Sequence, residues 1–116
     1  MRRGDIHVVD FEPSRGSEAD KRRRAVIVSC DASNEVVERL GRGLVTVVPL
    51  TSNVARVYPF QLLLPAARTG LDRDSKAQAE QIRSIAMERV GKRIGLVPYA
   101  LLARLDDALR VHLDLD

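Results

Sequence analysis

The alternation of apolar and polar positions divides this chain into a series of short strands followed by one long helix. Ile6-His7-Val8-Val9-Asp10-Phe11 is rich in β-branched residues and reads as a strand that Glu12-Pro13 ends. Ser14 to Arg23 is a polar loop, and Ala25-Val26-Ile27-Val28 is a continuous apolar run suited to a strand buried on both faces. Asp31-Ala32-Ser33-Asn34 opens a short helical stretch through Leu40, closed by Gly41. Leu44-Val45-Thr46-Val47-Val48 is a further dense β run with Pro49 at its end, and the polar loop Thr51 to Arg56 follows. Phe60 to Leu64 reads as a strand and Gly70 as a turn. Lys76 to Ala79 and Gln81 to Ala86 are weaker strands, because Ala, Gln, Glu and Arg also favour a helix there. Gly91 and Gly95 are expected to bracket a tight connection around Lys92-Arg93-Ile94. From Pro98 onward, Leu101, Leu102, Leu105, Ala108, Leu109, His112 and Leu113 recur at spacings of three and four, which predicts an amphipathic helix of roughly four turns. Six or seven strands and a closing helix predict a mainly β fold. The expected form is a small, strongly bent antiparallel sheet or barrel with a C-terminal helix, built as one domain over residues 1–116.

Composition narrows the class. With 45% hydrophobic and 30% charged residues the chain is neither a low-hydrophobicity disordered chain nor one with a membrane-spanning apolar run. Met1-Arg2-Arg3-Gly4-Asp5 lacks the apolar stretch of a secretory signal, so a cytoplasmic location without membrane attachment is expected. A single cysteine, Cys30, rules out an internal disulfide and a four-thiolate metal site. The aromatic residues Phe11, Tyr58, Phe60 and Tyr99 are too few to build the base-stacking row of an RNA-recognition sheet. A net charge of +3 says little by itself. Its distribution says more: Lys21-Arg22-Arg23-Arg24 is an unbroken basic run, with Arg2, Arg3 and Arg15 nearby in sequence. The plain reading of such a run is a solvated strand entrance.

Phosphate loops, nucleophile elbows, zinc-protease motifs and clustered His/Cys sets are missing from the sequence. His7 and His112 lie at opposite ends of the chain and read as a strand residue and a helix residue rather than an acid–base pair. Two loops at strand ends carry groups suited to phosphoryl transfer. One holds Ser17, Glu18 and the basic run; the other begins Thr51-Ser52-Asn53. Cutting RNA through its own 2′-hydroxyl requires a proton acceptor, stabilisation of charge on the phosphorane and protonation of the leaving oxygen. Guanidinium groups serve the second requirement, since their planar fork matches phosphate oxygens and their high pKa makes them poor bases. A threonine hydroxyl adds a hydrogen bond to a phosphate oxygen. A polar loop after a strand is otherwise no more than a turn.

Several fragments in order resemble the MazF (PemK) family of toxins. Gly4-Asp5-Ile6, Val9-Asp10, Pro13 and Gly16-Ser17-Glu18 are similar to the opening of such proteins. Arg23 with Ala25-Val26-Ile27-Val28-Ser29, Val48-Pro49-Leu50-Thr51-Ser52, Tyr58-Pro59-Phe60 and Ala79-Glu80-Gln81-Ile82-Arg83-Ser84-Ile85 continue the likeness to the final helix. The resemblance implies an SH3-like curved barrel, a symmetric homodimer and metal-independent, cofactor-free cleavage of single-stranded RNA to 2′,3′-cyclic phosphate and 5′-hydroxyl ends. By the same resemblance Arg23, Thr51 and Glu18 are catalytic, Ser17, Arg24, Ser52, Asn53, Gln81 and Arg83 contact RNA, and a MazE-like antitoxin blocks the groove with an acidic disordered tail. Two departures stand out. The family commonly has Arg-Pro where this chain has Arg23-Arg24, which leaves the register open among Arg22, Arg23 and Arg24; strand alternation puts only one of Arg23 and Arg24 towards a groove. His7 stands where many relatives carry tryptophan.

Two other readings belong to different classes. A non-catalytic CcdB-like inhibitor of DNA gyrase shares the fold, but that family relies on a C-terminal tryptophan, and this chain ends Leu113-Asp114-Leu115-Asp116 without one. An inactive relative that only sequesters antitoxin or RNA is the third.

Overall fold

The buried run at Ala25–Val28 sorts its side chains by period two into two separate cores. The computed structural model describes residues 1–11 and 22–116. Among these, the strands are β1 (Asp5–Asp10), β2 (Arg22–Ile27), β3 (Leu44–Thr51), β4 (Gln61–Leu64), β5 (Ser75–Gln78), β6 (Arg83–Ala86) and β7 (Val90–Leu96). The helices are α1 (Asp31–Leu40), α2 (Ala66–Thr69) and α3 (Tyr99–Leu113), with single 3-10 turns at Ala79–Gln81 and Met87–Arg89. All strand pairs are antiparallel, in the order β4-β5-β3-β2-β1-β7, with β6 also on β3. The path begins at β4 and ends at β7, so the curved sheet is open rather than a closed barrel.

Val26 and Val28 from β2 and its end, with Val48 and Leu50 from β3, join Leu101, Leu105, Ala108 and Leu109 of α3 in the larger core. Their neighbours Ala25, Ile27, Val45 and Val47 turn the other way and meet Val9, Phe11, Ile85 and Val37 of α1 in the smaller one. Each side chain of this size removed from water contributes roughly 1.5–3 kcal/mol, and both faces collect that term at Ala25–Ile27 and Val47–Leu50, which is why these stretches are apolar without interruption.

Helix α1 ends as the sequence reading expects, with Gly41 at φ 71° and its N–H bonded to the carbonyls of Val37 and Glu38. Helix α3 buries Leu101, Leu105, Ala108 and Leu109. Its last turn leaves the sheet, and His112 and Leu113 are exposed rather than part of the apolar stripe. The segments 76–79 and 81–86 resolve in favour of strands, β5 and β6, separated by the 3-10 turn; pairing with β3 outweighs their helical propensity. The expected tight connection between Gly91 and Gly95 is corrected: both lie inside β7, which pairs with β1 through two register shifts. These glycines mark close backbone approach rather than a turn. A Cβ at Gly95 would lie 2.7 Å from the Thr69 carbonyl oxygen, and one at Gly91 would lie 3.0 Å from that of Val8.

Candidate functional site

The basic run enters the fold as the first half of β2. Arg22, Arg23 and Arg24 pair in register with Asp10, Val9 and Val8 of β1. On the other side of β2, Ala25 pairs with Pro49, so the arginines run alongside the end of β3, Leu50 and Thr51. A cleft of about 330 Å³ opens there, lined by Val8, Arg22, Arg23, Arg24, Leu50, Thr51 and Ser52.

Arg23 is half-buried and held by three acceptors. Its Nη2 donates to the Leu50 carbonyl oxygen at 3.0 Å and to Gln78 Oε1 at 2.7 Å, and its Nη1 to Gln81 Oε1 at 3.3 Å. The guanidinium therefore reaches across the end of β3 to β5, the strand on the far side. Arg24 reaches the other end of β5, where its Nη1 donates to Ser75 Oγ at 2.7 Å. Burial pulls the Arg24 pKa down; Asp72 opposes that shift and Arg73 and Arg23 reinforce it. Among the described residues neither Arg23 nor Arg24 has a carboxylate at ion-pair distance; every acceptor they meet is neutral. Strand alternation does not choose between them, because all three arginines border the same cleft. What distinguishes Arg23 is its bond to the carbonyl of the residue just before Thr51.

Thr51 is half-buried at the end of β3, paired with Lys76 of β5. Its Oγ1 accepts from the Asn53 N–H at 3.2 Å, a local turn that fixes the oxygen and leaves the hydroxyl proton for another acceptor. Asn53 continues the turn by accepting from the Ala55 N–H at 3.3 Å, so its side chain braces the loop and is not among the cleft walls. Lys76 is buried, and its Nζ donates to the Arg56 carbonyl at 2.6 Å, tying this loop down to β5.

The other expected positions divide. Ser52 lines the cleft, and Gln81 borders it through its bond to Arg23. Arg83 lies elsewhere: it starts β6 opposite Val47, and its guanidinium sits 5.0 Å from the centre of the Phe11 ring. Ser17 and Glu18 lie outside the described residues. His7 is a buried strand residue whose Nδ1 donates to the Gly91 carbonyl at 2.9 Å, while His112 is exposed on α3. Sequence reading missed Gln78 and Ser75, the acceptors on β5. The only signal for Gln78 is its spacing of three from Gln81, and that becomes meaningful only once the intervening residues form a 3-10 turn.

Among the described residues no three His, Cys, Asp or Glu side chains cluster as metal ligands would. No helix there is long and apolar enough to cross a membrane.

Comparison with known proteins places the whole chain in one group. A family model described as "PemK-like, MazF-like toxin of type II toxin-antitoxin system" matches residues 2–113. A relative from Mycobacterium tuberculosis, Endoribonuclease MazF9, is 63% identical over 99% of this chain and 98% of its own length. Endoribonuclease MazF6 of the same species is 34% identical over 97% of this chain and 96% of its own. Among solved structures, a chain of MazE-MazF from Deinococcus radiodurans aligns with a TM-score of 0.78 at 29% identity, covering 100% of this chain and 97% of that one.

Proposed function

Because the chain belongs to the family of PemK-like, MazF-like toxins of type II toxin–antitoxin systems, we propose that it is an endoribonuclease that cuts single-stranded RNA without a metal ion. The observation that carries this reading is one cleft holding the Arg23 guanidinium and the Thr51 hydroxyl, with Arg23 bonded to the carbonyl just before Thr51. In the proposed reaction the 2′-oxygen attacks the adjacent phosphorus, and the 5′-oxygen of the next nucleotide departs, taking its proton from solvent water. The products are a 2′,3′-cyclic phosphate and a 5′-hydroxyl. Arg23 stabilises the charge that builds on the equatorial oxygens, where a held donor acts without reorganising. Thr51 donates its free hydroxyl proton to one of those oxygens. Glu18 accepts the proton from the 2′-hydroxyl, with Ser17 beside it on the RNA. Arg24 and Ser52 receive flanking backbone, as cations and hydroxyls do along nucleic acid. The acting form is a cytoplasmic homodimer, and a MazE-like antitoxin silences it by laying an acidic, disordered tail along the arginines.

Incubation with a long single-stranded RNA in excess chelator, followed by mapping of both new ends, tests the reading. Cleavage with 5′-hydroxyl ends is expected. Intact RNA, or a strict requirement for magnesium, would defeat it. Arg23→Ala and Thr51→Val are each expected to lower cleavage ~10²-fold or more, the usual scale for removing one donor to a transition-state oxyanion.

A further inference from the structure

Arg23 is long and flexible, and fixing its guanidinium costs side-chain entropy. The fold meets that cost with side chains from one short segment. β5 ends at Gln78 and the 3-10 turn Ala79–Gln81 follows at once, closed by the Ile82 N–H on the Ala79 carbonyl at 3.1 Å. Gln78 ends β5 just before this turn and Gln81 ends the turn itself, and both bring their amides to Arg23. A guanidinium only donates, so each amide turns its oxygen to it. Of the two, Gln78 makes the shorter bond, 2.7 Å, and is half-buried where Gln81 is exposed.

The choice of acceptor has a consequence for charge. A carboxylate in place of Gln78 would hold Arg23 at least as firmly, but would cancel the charge that a phosphorane needs. An amide oxygen orients the fork and leaves the cation uncompensated. We infer that Gln78 is a positioning residue, a neutral clamp that presets the Arg23 guanidinium for the scissile phosphate while leaving its full charge available; this rests on the proposed role of Arg23.

The experiment is a double-mutant cycle on a short RNA bearing one mapped cut site. Gln78→Ala is expected to lower kcat roughly tenfold with KM within about twofold and an unchanged melting temperature, the scale of one charge-assisted hydrogen bond. In an Arg23→Ala background the same change is expected to have no further effect. Gln78→Glu keeps the size of the side chain and adds the charge. It is expected to reduce the salt dependence of binding to an RNA carrying 2′-deoxyribose at the cut site by about one phosphate contact, a slope change of ~0.7 for single strands. Should Gln78→Ala alter the melting temperature, the Glu variant carries the test. Wild-type kcat in Gln78→Ala, an effect confined to KM, an equal loss in the Arg23→Ala background, or an unchanged salt slope in Gln78→Glu would each overturn the inference. Wild-type cleavage by Arg23→Ala would instead overturn the function proposed above.

Discussion

Two groups of arginines in this protein differ in what holds them. Around the amino terminus and β7 they meet carboxylates: Arg2 with Asp31 at 3.0 Å, Arg3 with Asp106 at 2.6 Å and Arg93 with Asp5 at 3.2 Å. In the cleft Arg23 and Arg24 meet a carbonyl, two amides and a hydroxyl. The first set is neutralised and joins distant parts of the chain; Arg3, for example, ties the start of β1 to α3 and also donates to the Val28 carbonyl. The second, among the described residues, is oriented without a carboxylate at ion-pair distance. A polyanion is attracted to cations that lack such a partner, so position in the charge network separates the two sets where residue type does not.

The sharpest way to break this contrast is Arg23→Lys. The charge stays, but one ammonium cannot replace a planar fork spread over Leu50, Gln78 and Gln81, and RNA cleavage is expected to fall ~10²-fold while RNA binding keeps its salt dependence. Near-wild-type turnover would show that charge alone suffices. The converse change, Arg3→Ala, breaks a partly exposed pair and is expected to lower stability by about 1–2 kcal/mol, between the surface and buried extremes. Denaturant unfolding measures it, and cleavage per folded molecule should not change.

Arg24→Gln has a smaller and opposite effect on the fold. Burial disfavours the charged form of Arg24, so the native state holds it at a penalty that is present wherever the group is protonated and is relieved only as pH rises past its lowered pKa. Removing the charge is therefore expected to leave the melting temperature equal or higher, with no pH dependence across the neutral range. RNA binding should lose about one charge from its salt slope. A clear drop in melting temperature would mean that the bond to Ser75 outweighs the desolvation. The smallest effect is expected for Arg2→Ala, within ~0.5 kcal/mol, since its side chain is 78% exposed and the pair with Asp31 is a surface one.

How much of this was legible beforehand varies by residue. The runs at Ala25–Val28 and Leu44–Val48 could be read directly as strands, whereas the continuation of β3 through Pro49 to Thr51 could not. The helix from Tyr99 was equally plain, though not its last turn, where His112 and Leu113 continue the spacing after the sheet beneath has ended. Gly91 and Gly95 misled, since a glycine needed for close approach is indistinguishable in sequence from one needed for a turn. At the site, the resemblance pointed to Arg23 and Thr51, and both line the cleft. The same resemblance gave Arg83 an RNA contact, and the structure places it at the start of β6 with its guanidinium over Phe11. Gln78 carried no signal because its partner lies 55 positions away.

By itself, then, the sequence determined many of the local choices: the apolar strands around 6–11, 25–28, 44–48 and 60–64, where α1 and α3 begin, and that a basic run adjoins a buried stretch. Those depend on neighbours within a few residues. Only the tertiary structure decided which arginine meets which acceptor. That outcome depends on β5 arriving beside β3 and on the end of β5 and the 3-10 turn after it each supplying a glutamine, contacts made across the sheet order and fixed by the packing of the whole.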